Sequence, residues 1–271
     1  MGKASKALLA AALHLSCAGL AQSQERQHIW SGDWYLTLGG AGFIAPKFEG
    51  ARRRELQFSP IISVGRGGPE ARFVSRNDSI SFSLLDQGAL RAGIAGKLVM
   101  PRDEDTSSDL KGLHKIKLGA ELGGFVEVYP TDWIRARAEV RQGIRSHDGV
   151  VADLSADAFT DIAPNLRLSG GPRASFVSAG YNKAYYGVNA TQSAASGLSR
   201  FDADGGGLHS VGVGAALTWK STERISTTSF VEYKRLKGEA ADSSLVNERG
   251  SKTQLMFGLA ATYRFGAVTL D

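Results

Sequence analysis

The sequence predicts an all-β fold: a single antiparallel transmembrane β-barrel of about twelve strands, with N- and C-termini periplasmic. Three observations predict it. Apolar residues alternate with small or polar ones over many stretches of about ten residues. Glycine is abundant and proline scarce, 33 against 7 in 271 residues, as suits many strands joined by tight turns. Aromatic residues gather at the ends of the alternating stretches. A strand with one face in lipid must alternate with a period of two, because successive side chains point to opposite faces.

The first residues have a separate identity. Lys3 and Lys6 precede an apolar run over residues 7–15, and Gly19-Leu20-Ala21 offers a small-x-small cleavage site before Gln22. That is the pattern of a secretory signal peptide, too short for a spanning helix. Residues 1–21 are therefore expected to be a cleavable leader, and residues 22–271 the outer-membrane β-barrel domain. A lipidated Cys17 is the lesser reading, because His14 stands where a lipobox wants Leu. The leader would carry away the only cysteine, leaving no disulfide, thiolate nucleophile or Cys metal ligand.

Charged residues make up 22% and hydrophobic residues 42%, which excludes both a disordered chain and a helical membrane protein. No stretch beyond the leader approaches the roughly 18 apolar residues of a spanning helix. The pI of about 9.3 comes from scattered basic residues. With no basic stripe or aromatic stacking platform, nucleic acid is not an expected partner.

Strands are expected near residues 33–45, 55–66, 70–76, 79–85, 89–100, 115–128, 133–145, 149–160, 165–178, 208–220, 224–237 and 252–266. In the last, Thr253, Leu255, Phe257, Leu259, Ala261, Tyr263 and Phe265 form one face. Gln254, Met256, Gly258, Ala260, Thr262 and Arg264 form the other. Val211, Val213, Ala215, Leu217 and Trp219 likewise oppose Ser210, Gly212, Gly214, Ala216, Thr218 and Lys220. In a third, Ile134, Ala136, Ala138, Val140 and Ile144 oppose Arg135, Arg137, Glu139 and Arg141. Alternation alone also fits a soluble sandwich. The barrel is preferred because the second face is rich in Gly and Ser, as a crowded interior requires. Trp34, Tyr35, Tyr129, Trp133, Trp219, Tyr233, Tyr263 and Phe265 would then form the two interfacial girdles.

Short connections at 67–69, 86–88, 129–132, 161–164 and 221–223 contrast with long polar ones at 46–54, 101–114, 179–207 and 238–251. The breaks at 76–78 and 146–148 read as short outer loops. With both ends periplasmic, every long connection falls outside. Twelve is even, as bacterial single-chain barrels prefer. Fusing residues 70–85 would make eleven and put the acidic Arg102-Asp103-Glu104-Asp105 loop on the wrong side.

The non-lipid face puts Lys97, Glu121, Arg135, Arg137, Glu139, Arg141, Asp153, Asp157, Arg167, Arg173, Glu232, Lys234 and Arg264 in the lumen. Both signs are present. Confined charges must be paired and hydrogen-bonded, so a salt-bridged, nearly closed interior is expected rather than an ion-selective pore of one sign. No catalytic, cofactor-binding or metal-binding site is expected. His28, His114, His147 and His209 form no HExxH or HxH pattern. His147-Asp148 imitates a triad fragment but reads more simply as turn residues. No GxSxG elbow exists, and Gly205-Gly206-Gly207 lacks the Lys-Ser/Thr of a phosphate loop. Tyr181, Tyr185, Tyr186 and Phe201 in the longest loop are expected to fold it onto the barrel mouth, with a helical run over residues 191–196.

Several segments together resemble the MipA/OmpV family of MltA-interacting-protein-like outer-membrane proteins. They are Glu139-Val140-Arg141-Gln142-Gly143-Ile144, Ser146-His147-Asp148-Gly149, Val151-Ala152-Asp153-Leu154, Leu84-Leu85-Asp86-Gln87-Gly88-Ala89-Leu90-Arg91-Ala92-Gly93 and Glu121-Leu122-Gly123-Gly124-Phe125. Tyr185-Tyr186-Gly187-Val188, Gln192-Ser193-Ala194, Ser196-Gly197-Leu198, Gly238-Glu239-Ala240-Ala241-Asp242-Ser243 and Tyr263-Arg264-Phe265 extend the resemblance over the mature chain. It implies an outer-membrane barrel, embedded in outer-membrane lipid. It also implies a non-enzymatic scaffold linking a murein lytic transglycosylase to a penicillin-binding protein in peptidoglycan synthesis. A narrow porin-like channel and an outer-surface antigen or adhesin are the alternatives it implies. Family members often end at the aromatic of the last strand, whereas residues 266–271 follow Phe265 here.

Overall fold

The computed structural model describes residues 32–66, 73–266 and 268–270. The expected leader, His28 and the turn at 67–69 lie outside the described residues. Eleven long strands and one short one form a single sheet. They are β1 (Gly32–Pro46), β2 (Arg54–Arg66), β3 (Ile80–Gln87), β4 (Leu90–Val99), β5 (Gly119–Thr131) and β6 (Ile134–Ile144). They continue as β7 (Val150–Ala163), β8 (Leu166–Val177), β9 (Gly207–Lys220), β10 (Ile225–Leu236), β11 (Thr253–Arg264) and β12 (Val268–Leu270).

Each strand from β3 to β11 pairs antiparallel with the next in sequence. β11 returns to β1, and β1 carries β2 on its other side. The short β12 continues β11 along β1: Thr37 faces Arg264, and after a one-residue offset Gly32 faces Leu270. The residues after Phe265 thus lengthen the last strand rather than interrupting it.

The strand count departs from twelve. The described part of the expected strand at 70–76 is not a strand. Eleven is odd, so in this chain of antiparallel pairs β2 and β3, the two outer strands, run in the same direction. Among the described residues no ladder joins them, and the sheet is not closed there. An even count failed because residues 73–79 run along the concave face instead of joining the wall. Their climb also keeps β3 in phase, so the Arg102–Asp105 loop stays at the same rim as the other long loops without a twelfth strand.

The alternation read from the sequence sorts the two faces. On β6, Arg135, Arg137, Glu139 and Arg141 are all buried while Val140 and Ile144 stand exposed. Leu122, Val140, Leu154, Leu168, Val213, Val231 and Leu259 carry an exposed apolar belt across β5 to β11. Charge inside and apolar residues outside invert the pattern of a water-soluble core. That inversion suits strands surrounded by lipid. No helix of the described residues is long and apolar enough to cross a membrane. Trp133, Trp219, Tyr263 and Phe265 stand exposed near the short-turn rim, as a girdle requires. Tyr129 does not join them. Its hydroxyl turns inward and donates to Glu127 at 2.9 Å.

All four long connections meet at one rim. Phe48, Ala51, Leu110, Val188, Leu198 and Leu245, from four different loops, share one buried apolar cluster. Tyr186, Leu236, Ala240, Ala241 and Val246 form a second beside it. The helices α1 (Ala179–Tyr186), α2 (Ala190–Ser196) and α3 (Gly238–Asp242) belong to this cap. The longest loop therefore folds down over the mouth, and its expected helical run is α2. Asn189 caps α2 by accepting from Gln192 N–H while the Gln192 side chain accepts from Asn189 N–H, a reciprocal capping box.

Candidate functional site

The period of two places Arg135, Arg137, Glu139 and Arg141 in one column on the concave face of β6, flanked by β5 and β7. Like charges stacked along one strand repel, so each arginine must be matched from the side. Arg141 Nε donates to Glu121 at 2.9 Å, its Nη1 donates to Glu139 at 2.6 Å, and its Nη2 donates to Asp153. Arg137 Nε donates to Glu139 at 2.7 Å, its Nη1 donates to Glu127 at 2.9 Å, and its guanidinium lies 4.0 Å above the Phe125 ring. Arg135 is wholly buried, 2.6 Å from Asp78, 3.0 Å from Glu127 and 3.8 Å from Asp157. Arg173 on β8 donates to Asp157, and Arg91 on β4 lies 2.9 Å from Glu127. Five adjacent strands are thereby cross-linked through their inner face.

The interior charges expected from the sequence all turn inward. Lys97 faces Glu121 across the β4–β5 register. Arg167 reaches Asp161 at 2.7 Å near the short-turn rim. Arg264 lines a cavity of about 2660 Å³ to which all eleven long strands contribute.

Residues 73–79 cross this interior. Phe73 stacks on Phe159 with ring centroids 4.6 Å apart, and its carbonyl lies 3.3 Å from Tyr129 Oη. Ser75 Oγ accepts from Arg173 at 3.2 Å. Arg76 lies 4.0 Å over the Phe230 ring and 5.1 Å over Phe43, on the far wall. Asn77 donates to Glu232, and Ser79 N–H donates to Glu139. The segment is held by β5, β6, β7 and β8 on one side and by β1 and β10 on the other.

The cap has its own polar centre. Glu49, in the β1–β2 loop, accepts from Lys234 Nζ at 2.6 Å and from the Tyr181 and Tyr186 hydroxyls at 3.2 Å, and meets His209 Nε2 at 3.0 Å. Burial works to raise the Glu49 carboxyl, but Lys234 and His209 hold it well below the usual carboxylate range. Burial, reinforced by Glu49, pushes the Tyr181 and Tyr186 hydroxyls up, and burial lifts Tyr185 to about 12. Nearby, His147 Nδ1 accepts from Gly149 N–H at 3.2 Å, so Nε2 is the donor facing Glu121. His147 also meets Tyr181 and Tyr185 edge-on. This arrangement ties His147 to structure and leaves Asp148 exposed beside it. Among the described residues no group of three His, Cys, Asp or Glu side chains could hold a metal ion.

Sequence reasoning passed over Glu127, Asp78 and Glu49. Glu127 was legible, since it shares the parity of Glu121 and Phe125 on β5. The other two lie outside the strands, where no period assigns a face.

The profile of the family described as MltA-interacting protein MipA matches residues 38–265. No curated protein matches the chain. Among solved structures the fold is similar to the KdgM porin, at 7% identity and a TM-score of 0.38, covering 86% of this chain and 99% of that one. It is similar to the NanC porin, at 9% identity and a TM-score of 0.39, covering 84% and 98%. It is also similar to outer membrane protein H (OprH) from P. aeruginosa, at 15% identity and a TM-score of 0.30, covering 86% and 100%.

Proposed function

This chain belongs to the MltA-interacting protein MipA family, and from that premise we propose that it is a non-enzymatic outer-membrane scaffold. Its strands sit in outer-membrane lipid, with both termini and the short turns on the periplasmic side. Residues 1–21 direct its export and are removed. The short-turn rim holds a murein lytic transglycosylase of the MltA kind together with a penicillin-binding protein.

The observation that carries this reading is the cross-linked inner wall. Arg135, Arg137 and Arg141 are each buried and matched by carboxylates from neighbouring strands and from residues 73–79. An interior committed to internal ion pairs, under a packed cap, favours a rigid platform over a transport path. The test is cross-linking of intact envelopes followed by purification of the barrel. A lytic transglycosylase and a penicillin-binding protein should co-purify. Recovery of neither would refute the scaffold.

A porin-like reading is favoured by one feature, the 2660 Å³ cavity. It requires steady single-channel conductance from the unmodified protein in planar bilayers. The scaffold reading expects a nearly silent trace.

A further inference from the structure

Asp78 is an acidic side chain supplied by a segment that belongs to no strand, and it sits against two arginines that do, bonded to Arg135 and close to Arg137. Arg135 Nη2 approaches Asp78 Oδ1 at 2.6 Å, and Arg137 Nε stands 3.8 Å from the same oxygen. The carboxylate is presented by a tight turn, with Asp78 N–H donating to the Ser75 carbonyl and Ser75 N–H donating to Asp78 Oδ2. The two arginines are anchored independently, by Glu127 and Glu139 on the barrel wall. Removing Asp78 would leave both arginines in place with Arg135 Nη2 unmatched.

We propose that Arg135 and Arg137 form a carboxylate-binding seat in the lumen, filled at rest by the chain's own Asp78. The ligand class is a small solute bearing a carboxylate, because Arg135 Nη2 already bonds a carboxylate oxygen here and Arg137 adds a second positive charge beside it. Binding such a solute displaces Asp78 and frees residues 73–79 from the β6 wall, opening the cavity from the short-turn rim toward the cap. Arg76, in the middle of the segment, reaches the opposite wall. It rests on the Phe43 and Phe230 rings by cation–π contact, a weaker hold than the Asp78 latch.

The experiment uses the full-length protein refolded in lipid. In Asp78→Ala the seat is empty, so sodium acetate should raise its thermal unfolding midpoint above that in sodium chloride of equal ionic strength. Wild type, where acetate must compete with Asp78, should show a smaller difference between the two salts. In planar bilayers Asp78→Ala should open about tenfold more often than wild type, the weight of one charge-assisted hydrogen bond. Should Asp78→Ala fail to fold, wild type alone decides. Millimolar glutarate, competing for the arginines, should raise its opening frequency while equal glucose does not. A folded Asp78→Ala indifferent to acetate would overturn the proposal. So would a wild-type trace that glutarate leaves unchanged.

Discussion

Arg141 shows how a charge survives inside this wall. It is 2% exposed, and three carboxylates on β5, β6 and β7 divide its donors. Cutting it to alanine would leave Glu121, Glu139 and Asp153 without their shared cation. Arg141→Ala should therefore cost about 3–5 kcal/mol, read as a lowered midpoint in urea unfolding from lipid. Arg145, at the tight β6–β7 loop, holds a φ of 70°, a left-handed conformation that disfavours any side chain with a Cβ. Arg145→Gly should stabilise by about 1 kcal/mol in the same assay. Glu49 carries the pH dependence of the cap. Its folded carboxyl titrates below the unfolded value. The stability it contributes is thus full above the unfolded carboxylate range, and is lost as pH falls through the folded value. Protease cleavage within residues 178–206 should increase on acidification, and Glu49→Gln should already be cleaved at neutral pH.

At the scale of elements, the strands were legible because a period of two repeats often enough to average out exceptions. β6 and β11 follow the expected faces along their whole lengths. Residues 73–76 were expected within a strand at 70–76, and 76–78 as a short outer loop, because Phe73, Val74 and Ser75 alternate like a strand. What decides their path is a set of partners far away in sequence: Phe159, Arg173, Arg135 and Phe230. Tyr129 was misplaced for the same reason. An aromatic at a strand end suits an interface, but Glu127 offers its hydroxyl a buried acceptor. The cap elements are more independent. Asn189→Ala removes one half of the α2 capping box and should cost about 1 kcal/mol locally. Faster amide exchange confined to residues 190–197, with the strands unchanged, would report it.

At the scale of the whole molecule, the parity of the sheet sets where it is weakest. β2 and β3 are the outer strands of the ladder and run in the same direction, whereas β5 to β8 are paired on both sides and cross-linked inside. Amide exchange should be slowest in β6 and β7 and fastest in β2 and β3, which no ladder joins to each other among the described residues. Uniform protection across all eleven strands would contradict that gradient.

The sequence by itself determined the class of fold, the two faces of nearly every strand and the mixed-charge interior. It also carried the resemblance to the family. These are local or periodic properties, written in the side chains of each strand in turn. Only the tertiary structure decided that the strands number eleven, that residues 73–79 lie inside, and that Asp78 and Glu49 meet arginine, lysine and histidine partners. Such choices depend on which distant groups can satisfy a buried charge, and no period along the chain records that.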